Sequence, residues 1–325
     1  RLGRNGTAWG MGINATPAGY RKKEGDGRSP AGIFSLGGLW VNNPTPVQHD
    51  PAIPYVQVGP NDLWVSDPRT PHLYNRHLRL DPTQLVPGCR TLIVAALDYY
   101  PQQPIPQEEY QIAYYAYGAD YHRVVKDKLH QLFNYIKTLA PEVQGRAFCD
   151  TAPLLERYWA TKAGLGFIGL NRTFIIPGKG SYCFLGVLAV DTELQASTYD
   201  GPRSCGNCKR CFMACPTGAL TEDGIDCRRC LSYLTIEHRG EIPDEYGKKM
   251  GNRIYGCDTC QRVCPHNRYA EPTAEAAFAL PAEVASLTRE AWQQLTPERY
   301  RTLFKHSAIE RAGYEGLMRN IRNKE

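Results

Sequence analysis

The cysteines constrain this chain more than any other feature of its sequence. Nine of the twelve cysteines lie between Cys205 and Cys264 in a chain of 325 residues. An even scatter would suggest a disulfide framework, whereas a tight group with short repeated gaps indicates metal ligation. Ligation requires free thiolates, which a reducing compartment preserves, so the grouping also predicts a cytoplasmic protein.

The first part of the group has the spacing of a ferredoxin run. The pattern C-x2-C-x2-C-x3-C, followed by proline, is formed by Cys205, Cys208, Cys211 and Cys215. In this pattern three cysteines ligate one [4Fe–4S] cluster, and the cysteine before proline ligates the other. The run therefore predicts a second run elsewhere in the chain.

The second run is shortened. It consists of Cys257, Cys260 and Cys264 followed by proline, with isoleucine where the first cysteine of the pattern would stand. A distant cysteine must complete the set, and either Cys227 or Cys230 is available. The first predicted cluster takes Cys205, Cys208, Cys211 and Cys264, and the second takes Cys215, Cys257, Cys260 and one of those two. Structural zinc also uses C-x2-C pairs, but zinc sites seldom combine this run with a partial second copy.

The segments outside the cysteine group have the pattern of a mixed α/β protein. The predicted strands span 91–98, 146–150, 174–176 and 184–190, and the predicted helices span 120–139 and 153–163, the latter begun by its proline. This alternation is typical of an α/β layer structure. Residues 1–77 are rich in glycine, proline, asparagine and tryptophan and predict short strands and loops, whereas residues 271–325 predict a helical tail.

Composition limits the function classes only weakly. The net charge of +5 permits a polyanionic partner without requiring one. No apolar run approaches the ~20 residues that a membrane-spanning helix needs. We therefore predict no membrane segment.

Two polar stretches in the α/β part are candidates for chemistry. Asp150 ends a predicted strand, a position where the ligand sites of α/β sheets collect. Partial burial there would raise its pKa and allow it to act as a proton donor. Asp120, Tyr121 and His122 open a predicted helix, where the simpler interpretation is that Asp120 caps the helix. The glycine-rich stretch 163–169 fits a plain tight turn better than a cofactor loop.

Several runs follow the order in which one enzyme family carries them. They are Asp120-Tyr-His122, Asp150-Thr-Ala-Pro-Leu-Leu-Glu156, Ala163-Gly-Leu-Gly-Phe-Ile-Gly169, Cys230-Leu-Ser-Tyr-Leu-Thr-Ile-Glu-His238 and Met250-Gly-Asn-Arg-Ile-Tyr-Gly-Cys257. From about residue 75 to 325 the chain resembles the epoxyqueuosine reductases, cobalamin-dependent enzymes of queuosine biosynthesis in tRNA. The chain departs from that family at Leu170, where lysine is usual, and at its front, where the family's own α/β segment is not found.

The resemblance implies an α+β fold with an ordered set of domains. An α/β nitroreductase-like cobalamin domain (78–200) would precede a two-[4Fe–4S] ferredoxin-like domain (201–270) and a helical, tRNA-contacting tail (271–325). The implied activity is reduction of the epoxide of epoxyqueuosine, at the tRNA wobble position, to queuosine. Electrons would pass from an external flavodoxin- or ferredoxin-type donor through the clusters to cobalamin, in a monomeric enzyme.

The resemblance also assigns individual residues. It selects Cys230 over Cys227 as the remaining cluster ligand and aligns Asp150 with the acid that protonates the substrate oxygen. The cobalamin contacts that it implies are Asp120, Tyr121, His122, Asp150 and Phe174. Together with the local density of charge, it predicts tRNA contacts at Arg228, Arg229, Lys248, Lys249 and Arg253.

Residues 1–77 resemble a different family, the L,D-transpeptidases of the YkuD type. The stretches that carry this resemblance are 22–34 and 63–68, followed by His72 and Asn75. Such enzymes need a downstream nucleophilic cysteine. Cys89 mimics it only slightly, because it leads into a predicted apolar strand. We therefore expect a truncated and catalytically incomplete segment.

Three other functions compete with this interpretation. A reductive dehalogenase-like enzyme shares the cofactor set but is typically exported behind a twin-arginine signal, and none is visible. A non-catalytic dicluster electron carrier would result if the cobalamin domain had lost its front. Retention of cobalamin by the purified protein would distinguish an enzyme from such a carrier. A peptidoglycan cross-linking enzyme would need the missing cysteine and histidine pair.

Overall fold

The computed structural model describes residues 81–195, 197, 204–222 and 224–323, together with five short strands among the first 57 residues. The chain divides into two compact units, Arg1–Arg76 and His77–Glu325. The strands of the first unit are β1 (Thr7–Trp9), β2 (Ser29–Ala31), β3 (Ile33–Phe34), β4 (Gly38–Val41) and β5 (Tyr55–Gln57). Strand β1 pairs with β2, and β4 lies between β3 and β5.

The prediction of short strands in this first segment is confirmed by β1–β5. Of the stretches that resemble an L,D-transpeptidase, only 29–31 and 33–34 are described, as β2 and β3. The remainder of 22–34, the stretch 63–68, His72 and Asn75 lie outside the described residues. Downstream, burial raises the pKa of the Cys89 thiol, which opposes a nucleophilic role.

The described residues of the second unit are a mixture of strands and helices, as predicted. The strands are β6 (Thr91–Asp98), β7 (Gln111–Ile112), β8 (Gly145–Phe148), β9 (Phe167–Ile168), β10 (Phe174–Ile175), β11 (Cys183–Val190), β12 (Leu220–Thr221), β13 (Gly224–Ile225) and β14 (Arg253–Tyr255). The α-helices are α1 (Tyr121–Leu139), α2 (Glu156–Lys162), α3 (Arg210–Ala214), α4 (Leu231–Ile236), α5 (Asp244–Gly247), α6 (Thr259–Arg262), α7 (Ala282–Ala285), α8 (Arg289–Gln293), α9 (Pro297–Leu303) and α10 (Gly313–Arg322).

The core of the second unit is a three-stranded antiparallel sheet in the order β6-β11-β8. Central strand β11 is an almost unbroken apolar run because both of its faces are covered. Phe184, Leu188 and Val190 belong to the core cluster that includes α1, whereas Leu185 packs with Ala160 of α2. The period of two along β11 thus places one helix on each face of the sheet.

Gly186 shows how closely α1 lies over β11. A Cβ atom at this position would be 2.6 Å from Val125 Cγ1 and 2.9 Å from Leu129 Cδ1. Both contacts are shorter than real Cβ atoms make, so a larger residue would displace these side chains or the helix. The second and third turns of α1, which carry Val125 and Leu129, therefore lie close against the sheet.

The second helix begins later than its proline predicts. We expected a helix over 153–163, but α2 spans Glu156–Lys162, and Pro153 lies in the preceding loop. That loop is a series of tight bends, in which the Thr151 N–H donates to the Cys149 carbonyl and the Leu154 N–H donates to the Ala152 carbonyl. Local bends therefore replace the first helical turn and leave Asp150 in a loop.

The cysteine-rich region is attached to the α/β part by backbone pairing. Strand β14 runs parallel to β7, with Arg253 opposite Gln111 and Tyr255 opposite Ile112. The C-terminal helix α10 covers the other side, where Asn320 is fully buried and donates to the carbonyls of Thr235 and Ile254. Among the residues that the structure describes, no helix is long and apolar enough to cross a membrane.

Candidate functional site

Asp150 lies in the strained bend between β8 and α2. Its φ of 55° is in the left-handed region, which residues other than glycine rarely occupy. Its N–H donates to Glu156 Oε1 at 2.6 Å, and the next N–H, that of Thr151, donates to the Cys149 carbonyl at 2.6 Å. These bonds hold the bend, and the Asp150 side chain remains 63% exposed.

The first turn of α1 meets this side chain. The Tyr121 hydroxyl donates to Asp150 Oδ2 at 2.6 Å, and His122 Nε2 lies 3.4 Å from the same oxygen. Asp120 Oδ1 accepts from the His122 backbone N–H at 3.0 Å and lies 2.6 Å from His122 Nδ1. Asp120 thus caps the helix, as the simpler interpretation predicted, and it also orients the imidazole. We call Asp120, Tyr121, His122 and Asp150 the Asp150 cluster.

The charges of the Asp150 cluster differ from our expectation. Hydrogen bonds from His122 and Tyr121 hold the pKa of Asp150 below its ordinary value, although burial opposes them. Burial lowers the pKa of His122, but its contacts with Asp150 and Asp120 outweigh burial and raise it overall. The prediction of a raised Asp150 pKa is therefore wrong, because the carboxylate is paired with hydrogen-bond donors. In the resting pair the proton is on the imidazole and Asp150 is ionised.

Beside Asp150, the carboxyl group of Glu156 has a raised pKa. Burial raises its pKa to about 7, and the negative charge of Asp150 acts in the same direction. Because Glu156 also accepts the Asp150 N–H, it holds the backbone of the bend. Glu156 was not among the predicted site residues, although its place in the same family run as Asp150 could have indicated a role at the site.

An aromatic contact joins the Asp150 cluster to the central sheet. The Tyr121 ring stacks on Phe184 of β11, with ring centroids 4.3 Å apart and planes within 1°. Phe174 does not share this position. It is only 4% exposed and packs with Ala160 and Leu185 in another part of the core. A contact between Phe174 and cobalamin therefore stays a prediction, at a side chain that packs in the core.

The cysteines predicted for the first cluster lie near one another. Burial is the main cause of the raised pKa of Cys211, and the charges of Cys205 and Cys264 add to it. Burial likewise raises the pKa of Cys264, and the charges of Cys205 and Cys208 add to it. The backbone N–H of Leu170 donates to Cys205 Sγ at 3.4 Å. Leu170, where the family usually has lysine, thus contacts Cys205 through its backbone N–H, and any residue except proline can make this contact.

Three of the cysteines predicted for the second cluster, Cys230, Cys257 and Cys260, lie near one another. Burial raises the pKa of Cys230 and of Cys260, and the charge of Cys257 adds to both effects. At Cys215 burial is outweighed by hydrogen bonds from Thr217 and nearby backbone amides, which lower the pKa. A lowered pKa favours the thiolate form that ligates iron.

The donor set suits multi-iron clusters. Cys227, predicted to be the spare cysteine, is exposed and begins a short 3₁₀ turn that ends at Arg229. In the described part of the chain, no group of three or more His, Cys, Asp or Glu side chains is arranged for a single metal ion. The fit of eight thiols to two [4Fe–4S] clusters rests on their spacing. The charge of Cys211 in the first set also acts on Cys260 in the second, so the two sets lie close to each other.

The five predicted tRNA contacts differ in their availability. Arg228 pairs with a neighbouring carboxylate at 2.8 Å, and Arg229 donates to a backbone carbonyl at 2.6 Å. Arg253 donates to a carbonyl at 2.9 Å and to a hydroxyl at 2.7 Å. Lys248 and Lys249 are exposed just after α5. The arginines therefore support the local fold, and the two lysines are the more available cations.

Two family models match the chain. Residues 79–151 match the model for epoxyqueuosine reductase QueG, DUF1730, and residues 204–267 match a 4Fe-4S double cluster binding domain. The epoxyqueuosine reductase of Leadbetterella byssophila is 46% identical over 245 residues, which cover 75% of this chain and 80% of that protein. The second match supports two iron–sulfur clusters within the predicted region.

Solved structures give the same relationship. The chain is similar to an epoxyqueuosine reductase solved with an epoxyqueuosine-modified tRNA-Tyr stem loop, at 29% identity and a TM-score of 0.67, covering 74% of this chain and 66% of that one. It is also similar to the Bacillus subtilis epoxyqueuosine reductase with its catalytic aspartate loop swung out of the active site. That match has 28% identity and a TM-score of 0.69, covering 77% of this chain and 68% of that one. The chain thus spans about two thirds of the solved enzymes.

Proposed function

Because the chain belongs to the epoxyqueuosine reductase family, we propose that it reduces the epoxide of epoxyqueuosine in tRNA to the cyclopentene of queuosine. The observation that carries the proposal is the Asp150 cluster, an exposed carboxylate paired with an oriented imidazole in the same unit as a double-cluster domain. The net reaction takes up two electrons and two protons and releases water. It therefore needs both an electron path and a proton donor.

Asp150 is proposed to pass the proton to the substrate oxygen. Opening of an epoxide leaves an alkoxide, which is a much stronger base than a carboxylate or an imidazole. The proton held by His122 can therefore move through Asp150 to that oxygen, although Asp150 is ionised at rest. Asp120 keeps His122 Nε2 turned toward Asp150. The strained Asp150 bend is our candidate for the mobile aspartate loop of the Bacillus subtilis relative.

Cobalamin is the second proposed cofactor, besides the iron–sulfur clusters. The residues fit it because the Asp150 carboxylate, at 63% exposure, faces an open side of the unit rather than a closed core. Tyr121, His122 and Asp150 would border the bound cofactor, with Asp120 behind them. When bound, cobalamin would supply a reduced cobalt centre as the nucleophile.

We propose the cluster ligands that the cysteine spacing and the family resemblance together predict. The first cluster takes Cys205, Cys208, Cys211 and Cys264, and the second takes Cys215, Cys230, Cys257 and Cys260. The charges of Cys205 and Cys264 on Cys211, and of Cys257 on Cys230 and Cys260, support the grouping of these thiols, although Cys211 also acts on Cys260. The place of Cys215 in the second set follows from the spacing of the run. Each cluster carries one electron at a time, so the pair suits a two-electron reduction.

Contact with tRNA is proposed to involve the exposed lysines after α5. Lys248 and Lys249 would bind phosphates, which supply affinity without reading sequence. The relative solved with a modified tRNA stem loop supports tRNA as the partner. Binding should weaken as the salt concentration rises, because phosphate contacts release counterions.

The test is a single-turnover reaction under anaerobic conditions. The protein is reconstituted with iron, sulfide and cobalamin, reduced chemically, and mixed with tRNA that carries epoxyqueuosine. Nucleosides from digested tRNA are then separated by mass. Appearance of queuosine at the expense of epoxyqueuosine is the expected result. A protein that holds both clusters and cobalamin but leaves the epoxide intact would contradict the proposal.

A further inference from the structure

A concave cationic face lies beside one of the proposed cluster ligands. It has a volume of about 750 Å³, and the residues that line it include Arg210, Met213, Arg262, Cys264 and Arg268. We call it the arginine face. Three of its side chains are guanidinium groups and none is a carboxylate, so the concavity carries a positive potential.

The guanidinium groups of the arginine face are held by neutral partners. Arg262 donates to the Gln107 amide oxygen at 2.8 Å and to the Tyr114 hydroxyl at 3.0 Å. Arg268 lies over the Tyr269 ring and bonds to its hydroxyl. In the described part of the chain neither forms an ion pair with a carboxylate, although the Asp258 carboxyl is close enough to raise the pKa of Arg262. The charge of Arg268 is therefore the more available to a partner.

The arginine face is built on the segments that carry the first cluster. Helix α3 supplies Arg210 and Met213 to the face and also contains Cys211, while Cys264 itself lines the concavity. No cysteine of the second set is among the residues that line the face. Of the two proposed clusters, the first is therefore the one closer to this surface.

Met213 adds an apolar contact to a cationic rim. Its side chain is 79% exposed, the most exposed of the large apolar residues in the described chain. A flexible thioether surrounded by charged groups is typical of protein interfaces that bind through an apolar centre and a polar rim. Recognition of unpaired RNA bases uses stacking on aromatic groups, and no aromatic residue lines the concavity, so base recognition is not expected here.

The reaction itself requires a docking site for a reductant. If the proposed function holds, each turnover consumes two electrons, and the two clusters only pass them on. We propose that the arginine face docks an acidic one-electron carrier protein of the flavodoxin or ferredoxin class. In each encounter the carrier is oxidised by one electron and the first cluster is reduced by one, so two encounters supply one epoxide reduction.

The test reverses charge on the arginine face. In an Arg210→Glu, Arg268→Glu double variant both changed residues are exposed, and a glutamate at the start of α3 suits the helix dipole. A matched control is Arg90→Glu, at a site that is 60% exposed and outside the face. Iron content of each variant is measured first, to confirm that both clusters are present.

Stopped-flow reduction of the clusters by a pre-reduced acidic flavodoxin is the primary measurement. Steering by complementary charge changes association rates by ~10–10³-fold, so the double variant should be reduced at least tenfold more slowly at low salt. The difference should shrink as salt rises, and Arg90→Glu should match the unmodified protein. Reduction by dithionite, which needs no docking, should be unchanged. A double variant that flavodoxin reduces at the unmodified rate would overturn the proposal.

Two further arms separate the other possibilities. Binding of an epoxyqueuosine-containing tRNA stem loop should be equal in the double variant and the control. Weaker tRNA binding together with unchanged reduction by flavodoxin would make the arginine face an RNA site and refute the carrier proposal. Dithionite-driven conversion of the tRNA reports on the proposed function alone. If dithionite-driven conversion fails while flavodoxin still reduces the clusters in an arginine-dependent way, the proposed function is rejected and the docking site is supported.

Discussion

Replacing Asp150 with asparagine should remove proton transfer at this position while leaving the fold unchanged. Asparagine has nearly the same size as aspartate and tolerates the left-handed backbone that Asp150 adopts, at φ of 55°. Its amide oxygen can still accept the Tyr121 hydroxyl. Because the side chain is 63% exposed, the change disturbs little packing. The variant should therefore fold and bind its clusters normally.

The expected loss of rate follows from the missing relay. An amide cannot carry a proton from His122 to an alkoxide, and general-acid assistance is worth ~10²–10⁴-fold in rate. This corresponds to about 3–5.5 kcal/mol of activation free energy. The unmodified rate should also fall as pH rises through the raised pKa of His122, because the imidazolium is the proton store. That fall should disappear in Asp150→Asn.

The assay is single-turnover conversion of epoxyqueuosine tRNA across a pH series, with chemical reduction of the protein. Asp127→Asn is a matched control, since Asp127 is an exposed aspartate on α1. Iron and cobalamin are measured in the same samples. Turnover of Asp150→Asn within threefold of the unmodified protein, with cofactors retained, would refute the relay through Asp150.

Three further predictions test the clusters, the core and the bend. Cys230→Ala should reduce iron from the ~8 atoms expected for two four-iron clusters, whereas Cys227→Ala should leave it unchanged; equal loss in both would contradict the ligand choice. Gly186→Ala should lower the free energy of unfolding by about 1–3 kcal/mol, because its Cβ would lie 2.6 Å from a methyl group of α1. Gly316→Ala, with ordinary 3.5 Å contact on a helix, should raise that free energy by about 0.5–1 kcal/mol in urea titrations. In the folded protein the pKa of Glu156 is about 7, above its ordinary 4.5. The stability that Glu156 contributes is therefore fully present below pH 4.5 and is lost as pH rises through 7. Tm should fall over this range, and Glu156→Gln should make the fall smaller.

The strained bend links the backbone to the chemistry. A non-glycine residue at positive φ costs on the order of 1–3 kcal/mol, and here the Glu156 carboxyl is one of the groups that offset it. The bond from the Asp150 N–H to Glu156 therefore helps to hold the exposed Asp150 side chain beside Tyr121.

Local sequence determined much of the fold. The apolar run that became β6 has the bounds that its residues predict, Thr91–Asp98, because strand pattern depends on near neighbours. Helix α1 likewise starts after Asp120, whose side chain accepts the His122 N–H within the same turn. The cysteine spacing predicted a double-cluster domain, because cysteines in C-x2-C pairs face one cluster and the cysteine before proline faces the other.

Only the tertiary structure decided the properties of the site. The pKa of Asp150 is lowered because His122 and Tyr121, far from it in sequence, donate to its carboxylate, and strand position alone suggested the opposite shift. Phe174 is buried because β10 lies against α2, which no local pattern reveals. Charge and burial at a residue depend on segments brought together by folding. A sequence can therefore name candidate residues, and the packing around them sets their pKa values and exposure.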